Sequence, residues 1–284
     1  MDRPPQVALL AWGATQLRDL PWRRTREPWA ILVSELMLQQ TQVPRVLPRY
    51  HAFLAAFATA AACASAPLAD VVRAWEGLGY NRRAVSLHRA AGHIAEHGFP
   101  DTLAGLLTLP GVGPYTARAV LAYAYETDAA VVDTNVARIL ARFEGRRLTA
   151  KKAQAAADAF APPGESWAWN QAIMDLGAQR CRPRSPRCDG CPLAPWCRWR
   201  TAGFPAPDPA VGSAYVSGGQ SPFDGSDRQG RGRLVAALRR GPVPEADLAA
   251  AMGWPGDMER AARVAATLVT DGLASVDATG SFTL

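Results

Sequence analysis

Lysine is nearly absent from this chain of 284 residues: Lys151 and Lys152 are the only two among 31 basic residues, the rest being arginine. The first half therefore excludes any chemistry that needs an amine nucleophile from a lysine side chain, a Schiff base above all. Long apolar runs are missing as well. No stretch of about 18 apolar residues occurs, which excludes a membrane-spanning helix. The start, Met1-Asp2-Arg3-Pro4-Pro5, lacks the charged and then apolar run of an export signal, so the expectation is a cytoplasmic protein with no membrane partner. Strand-like alternation is scarce too, apart from a short tail at the C-terminal end.

What is present is basic and helical. A net charge of +6 and a pI near 9.4 favour an anionic partner, and the flat arginine fork suits bidentate phosphate contacts. Alanine- and leucine-rich segments punctuated by glycine or proline predict helices over 5–17, 29–39, 43–57, 67–76, 82–96, 103–107, 115–125, 135–143, 151–161 and 166–177. The fold class expected is all-α. Residues 205–230, dense in Gly, Pro, Ser and Asp, read as a linker. Beyond them, helical patterns over 231–239, 245–252 and 257–271 and an alternating tail around Gly280 suggest a small winged-helix-like module, 231–284.

Two glycines one residue apart, in Leu109-Pro110-Gly111-Val112-Gly113-Pro114-Tyr115-Thr116, precede an alanine-rich helical run. Gly111 and Gly113 there allow a tight turn at a helix start, a place where phosphate oxygens bind. A lone carboxylate follows in Val131-Val132-Asp133-Thr134-Asn135, where Asp133 is also a natural N-cap. Farther on, Cys181, Cys188, Cys191 and Cys197 form C-x6-C-x2-C-x5-C. In a chain read as cytoplasmic this favours a metal over disulfides, and the spacing leaves zinc and an iron–sulfur cubane both open. Arg182, Arg184 and Arg187 alternate with these cysteines, and a metal-pinned loop would hold them ready for DNA phosphates. Cys63, in Ala61-Ala62-Cys63-Ala64, reads as a small buried filler.

The hairpin, the aspartate after it and the cysteine cluster occur in the order found in the iron–sulfur helix-hairpin-helix DNA glycosylases, which the chain resembles over residues 12 to about 200. Three further motifs resemble the adenine glycosylase (MutY) branch: Ser34-Glu35-Leu36-Met37-Leu38-Gln39-Gln40-Thr41-Gln42-Val43, Gly77-Leu78-Gly79-Tyr80 and Asn170-Gln171-Ala172-Ile173-Met174-Asp175-Leu176-Gly177. The resemblance implies a two-lobed glycosylase domain, 1–204, with a six-helix lobe over roughly 22–130 and a cluster lobe formed by the N-terminal helix and 131–204. It implies a 4Fe–4S cluster on the four cysteines. As partner it implies double-stranded DNA containing adenine mispairs, met by a monomer that is nucleoid-associated if the source is bacterial.

Members of that branch flip out adenine mispaired with 8-oxoguanine or guanine and hydrolyse its glycosidic bond, which is out of reach inside the stack. By resemblance, Glu35 is the general acid that protonates adenine, and Asp133 faces the sugar as positive charge develops there. Tyr115 stands where the endonuclease III enzymes carry a strand-cleaving lysine, so base removal without strand cutting is expected. Gln40 and Tyr80, flanked by Leu38 and Leu78, resemble the family's duplex probes. Trp22 and Arg23 resemble its entry to the adenine pocket, and Asn135 joins the DNA-contacting set.

Two features depart from the family. Thr134 stands where glycine is usual, and residues 231–284 are too few and too helical for the nucleotide-pyrophosphatase-like domain that reads 8-oxoguanine. Two rivals stand beside this reading. One is a thymine glycosylase for T·G mispairs, which Glu35 argues against because thymine has no N7 to protonate. The other is a non-catalytic DNA-binding or redox-sensing iron–sulfur protein, which the pairing of Glu35 with Asp133 argues against.

Overall fold

Helices form where the apolar period and the end signals agree. The computed structural model describes residues 4–216 and 222–284; residues 1–3, and 217–221 within the expected linker, lie outside the described residues. Helix α1 (Pro5–Gln16) starts with proline at its first position, where no amide hydrogen is missed. After a short 3-10 turn, Pro21–Arg23, comes α2 (Pro28–Leu38), then α3 (Val43–Ala56), whose Val46, Tyr50 and Phe53 form one buried stripe. Helix α4 (Ala60–Ser65) is unanticipated: alanine and serine carry no apolar period, and what starts the helix is the Thr59 side chain accepting from the Ala62 amide. Helices α5 (Leu68–Ala74) and α6 (Arg82–His97) follow, the latter burying Leu87, Ala90, Ala91 and Ile94.

Helix α7 (Leu103–Leu107) and α8 (Pro114–Tyr123) flank the glycine turn. Helix α9 (Thr134–Glu144) is closed at its start by Asp133 and at its end by Gly145 in the left-handed region (φ 68°). Helices α10 (Ala150–Phe160) and α11 (Ser166–Gln179) complete the core, and α12 (Arg198–Thr201) follows the cysteines. The C-terminal segment is α13 (Asp227–Leu238), β1 (Val243–Pro244), α14 (Leu248–Met252), α15 (Met258–Thr270), β2 (Ser275–Val276) and β3 (Ser281–Thr283). Its sheet has the antiparallel order β1-β3-β2, with Phe282 opposite both Val243 and Val276. The tail thus pairs as a hairpin and gains a third strand. No helix among the described residues is long and apolar enough to cross a membrane.

The chain forms two compact units. One comprises Met1–Ile31, Asp101–Leu107 and Val112–Gly219; the other comprises Leu32–Pro100, Thr108–Gly111 and Gln220–Leu284. In the first, α11 is the central helix, packed by α1 and α9 and buried along Trp169, Ala172, Ile173 and Leu176. In the second, α4 and α5 pack on α6, and α13, α14 and α15 pack on one another. Residues 205–216 are tied to the first unit. Asp208 pairs with Arg142 at 2.5 Å, and the Ser213 hydroxyl accepts from the Leu148 amide at 3.1 Å.

The expected 4Fe–4S cluster, with Cys181, Cys188, Cys191 and Cys197 as its ligands and a cluster loop as part of the fold, is corrected here. Among the described residues no three Cys, His, Asp or Glu side chains are grouped to hold a metal ion, and the four cysteines are free thiols. They line one cavity together with Ile139, Leu176 and Leu193. Burial there favours the neutral thiol, raising Cys188 and Cys197 and pushing Cys191 up to about 11. What pins the loop is arginine. Arg142 donates to the Arg182 and Pro183 carbonyls at 2.7 and 3.1 Å and to the Cys181 sulfur at 3.4 Å, and Arg138 donates to the Cys181 carbonyl at 2.6 Å. Cys63 is fully buried on α4, as its alanine surroundings suggest.

Candidate DNA-processing site

In the first unit the site is built around Asp133. Its Oδ1 accepts from the amides of Asn135 (2.8 Å) and Val136 (2.7 Å), while its Oδ2 accepts from the Asn135 side-chain amide (2.8 Å). One residue thus ends an extended segment, caps α9 and is held at both oxygens. Burial raises its pKa above the ordinary aspartate value of 3.8, in opposition to those hydrogen bonds. Asn170, fully buried on α11, clamps the preceding segment by accepting from the Val131 amide and donating to the Ala129 carbonyl, both at 2.8 Å. Asn135 is fixed in turn by Arg138, which donates to its Oδ1 at 2.7 Å and to the Gly177 carbonyl at 2.8 Å. Thr134 is exposed at the first position of α9 and makes no strained turn there.

Gly177 explains how close α9 and α11 come. A Cβ at this position would stand 2.6 Å from that of Asn135. Gly177→Ala is therefore expected to cost about 1–3 kcal/mol of stability by overpacking. Because Asn135 is the displaced neighbour, base release should fall more than the loss of folded protein explains. Thermal unfolding and single-turnover rates on the same preparation check this.

Trp22 is buried in the 3-10 turn beside Arg23, whose side chain is 8% exposed and paired to Asp175 through both terminal nitrogens at 2.8 and 2.9 Å. Arg18 reaches the same carboxylate with its amide and its guanidinium. Arg23 is thus locked in place by a fully buried acid. Gly113 caps α8, and Tyr115, half-buried, follows Pro114 in its first turn. Lys151 and Lys152 are exposed on the first turn of α10. Arg184 and Arg187 are exposed, and Arg182 is half-buried.

In the second unit Glu35 lies on α2 at 5% exposure, between Leu32 and Leu36, which are both fully buried. Leu38, half-buried, ends that helix. Gln40 follows with a left-handed backbone (φ 54°), and Tyr80, after Leu78 and Gly79, has the same conformation (φ 46°). For residues with a Cβ this conformation costs on the order of 1–3 kcal/mol each, and it persists only where the surroundings impose it. Gly111 (φ 80°) also belongs here, since a Cβ on it would stand 2.6 Å from that of Ser86.

What imposes it is Arg83, a residue the sequence reading did not single out. Its buried guanidinium donates to the carbonyls of Leu36 (2.7 Å), Met37 (2.8 Å), Gln39 (2.6 Å), Leu78 (3.1 Å) and Gly79 (2.8 Å), and to the Thr41 hydroxyl (3.0 Å). It also lies 5.5 Å from the Trp75 and Tyr80 ring centroids. One side chain joins the end of α2 to the turn before α6. The detectable signal was an arginine in step with the buried stripe of α6, four residues before Leu87.

Comparison with known proteins identifies the family. The family model described as HhH-GPD superfamily base excision DNA repair protein matches residues 33–163. An adenine DNA glycosylase of Mycolicibacterium smegmatis is 43% identical over 286 residues, spanning 98% of this chain and 95% of that protein, so the similarity runs through the C-terminal segment. The Homo sapiens adenine DNA glycosylase is 38% identical over 211 residues, 68% of this chain and 39% of that protein. Among solved structures, a thermostable thymine-DNA glycosylase superposes with a TM-score of 0.66 at 30% identity, covering 69% of this chain and 95% of that one.

Proposed function

The chain belongs to the adenine DNA glycosylase family of the HhH-GPD superfamily, and from that premise we propose that it removes adenine mispaired with guanine or 8-oxoguanine from double-stranded DNA without cutting the strand. The observation that carries the proposal is Glu35, a carboxyl-bearing side chain at 5% exposure among leucines, in a motif that resembles that branch. An adenine leaving as its anion is a poor leaving group, so a proton delivered to the base lowers the barrier. Extrusion of the nucleotide precedes the chemistry, because the glycosidic bond is inaccessible in the stack.

In this reading Glu35 protonates adenine N7 and then assists the attacking water. Asp133 supplies the fixed negative charge against the oxocarbenium-like sugar, and a carboxylate held at both oxygens reorganises little as that charge develops. Tyr115 offers a phenol, which forms no Schiff base, so water completes the reaction and an abasic site remains. Trp22 and Arg23 border the flipped adenine. Gln40 and Tyr80, with Leu38 and Leu78, meet the base left behind. Gly111, Gly113, Asn135, Arg182, Arg184 and Arg187 serve the DNA backbone.

The deciding experiment is single-turnover base release from duplexes carrying A opposite G, 8-oxoguanine or C, and T opposite G. Adenine release without β-elimination or a borohydride-trapped adduct is the expected result. Release of thymine alone would move the assignment to the T·G reading, which the 30% identity to a thymine-DNA glycosylase keeps in view. Asp133 also sets a pH limit. It must be ionised to act, and burial raises its pKa, so the rate should fall on acidification at a pH above the ordinary aspartate value of 3.8. Asp133→Asn should remove that limb from the pH–rate profile along with most of the activity.

A further inference from the structure

The turn that carries Tyr80 has little of its own to hold it. Gly77 (φ 82°), Gly79 (φ 70°) and Tyr80 (φ 46°) are all left-handed, and the two glycines populate other conformations as readily. Around Gly79 the space is open, with nothing within 4 Å of where a Cβ would stand. Arg83 grips the inner side of the turn through the carbonyls of Leu78, Gly79 and Tyr80. Its two ends, the last turn of α5 and the residue before α6, are fixed from elsewhere.

The C-terminal segment fixes both. Arg239, directly after α13, donates to the Val72 carbonyl at 3.0 and 3.2 Å and to the Asn81 side-chain oxygen at 3.3 Å. Val72 lies in the last turn of α5, where the helix's own amides run out and its dipole favours a cation. Asn81 stands at the cap position of α6, yet its side chain makes no capping hydrogen bond; its oxygen accepts from Arg239 instead. Burial lowers the Arg239 pKa and the Glu76 carboxylate opposes that shift, so the charge is held here against a desolvation cost.

Other contacts seat the segment independently of Arg239. A Cβ at Gly272 would stand 2.8 Å from the Arg89 guanidinium and 3.7 Å from the Val85 side chain on α6. By contrast, Asp271 lies 3.6 Å from Arg82, whose side chain is 74% exposed, and a pair so open to water fixes little.

We propose that Arg239 is a positioning residue for mispair recognition: by tying Val72 to Asn81 it braces the Tyr80 turn from outside, as Arg83 does from inside. The C-terminal segment then helps to set Tyr80 without itself touching DNA. The role of Tyr80 rests on the adenine glycosylase reading above, whereas the brace can be measured without any activity.

The test places 3-fluorotyrosine in the full chain, the Tyr80 fluorine resonance being identified by its loss in Tyr80→Phe. In parallel, single-turnover adenine release opposite 8-oxoguanine is compared with release opposite cytosine. Arg239→Ala and Asn81→Ala should each shift the Tyr80 resonance and lower that ratio roughly five-fold, and the double variant should do no more than Arg239→Ala alone, because the two groups act as a pair. Val264→Ala is the control for lost stability, since Val264 is buried at 1% exposure on α15. It should lower the thermal unfolding temperature and leave the resonance and the ratio at wild-type values.

A wild-type resonance and ratio in folded Arg239→Ala and Asn81→Ala would overturn the brace, and so would Val264→Ala changing both as much as they do. If Arg239→Ala does not fold, Asn81→Ala, which removes one acceptor and no helix cap, decides by the same criteria. If the wild type releases no adenine, the glycosylase reading falls and the Tyr80 resonance alone decides the brace.

Discussion

Glu35→Gln should bind mispaired duplex with wild-type affinity and release adenine about a thousand-fold more slowly. The amide has the shape of the acid but no proton to give, and general acid catalysis contributes roughly 10²–10⁴-fold. Glu35 is nearly excluded from water on a helix whose neighbouring Leu32, Leu36 and Met37 are fully buried, so solvent is poorly placed to substitute for it. A single-turnover assay at saturating enzyme separates this loss from weakened binding. Undiminished adenine release would remove Glu35 from the chemistry. Thymine release from T·G persisting in the variant would favour the rival substrate.

Arg83→Met should have the largest effect on stability of any single change in the second unit. Six carbonyls, that of Tyr80 at 3.3 Å among them, and a hydroxyl receive its hydrogen bonds, and hydrogen bonds to a charged group contribute on the order of 1.5–3 kcal/mol each, so the loss should exceed about 3 kcal/mol even after partial rehydration. Burial already draws the Arg83 pKa down to about 10, which shows how much those acceptors must compensate. Arg83→Lys keeps the charge but has three donors in place of the fork. It should therefore fold, melt several degrees lower, and lose discrimination between mispaired and paired duplex, because Gln40 and Tyr80 would relax from their left-handed conformations. Chemical denaturation and competition binding measure the two effects. If Arg83→Lys kept full mispair discrimination, Arg83 would have no role in positioning the probes.

Much of this molecule could be read before folding was considered. The boundaries of α3, α7 and α11 lie within a few residues of the periodic pattern, because an apolar stripe and its end signals are local properties. Gly111 of the hairpin and the aspartate before α9 were legible for the same reason: a turn needing φ > 0 and a cap needing a short acid are written into neighbouring residues. Helix α4 was not legible, since Ala60–Ser65 has neither period nor charge. The cysteine spacing suggested a metal, yet four thiols sharing a cavity become ligands only if their sulfurs are grouped and ionised. Here the described residues show no group of three or more such side chains placed to hold a metal ion. Composition also marked 205–230 as a tether, although turns rich in Gly, Pro and Asp look alike whether they hang free or dock, as residues 205–216 do through Asp208 and Ser213.

The sequence by itself determined the helical class and the glycine turn, and its motifs carried the resemblance that makes Glu35 the candidate acid, Asp133 the candidate carboxylate and Tyr115 the counterpart of a strand-cutting lysine. Each of these is a matter of residue types in short motifs. Only the tertiary structure decided what the arginines do. Arg83 gathers carbonyls from two segments, Arg138 and Arg142 pin the cysteine loop, Arg23 is held by an acid some 150 residues away in the chain, and Arg231 pairs with Asp271 from the next helix but one. The reason is that a guanidinium has five donors and no preferred neighbour in sequence. Whether it meets carbonyls, a carboxylate or an open cleft is settled by which distant segments the packing brings to it.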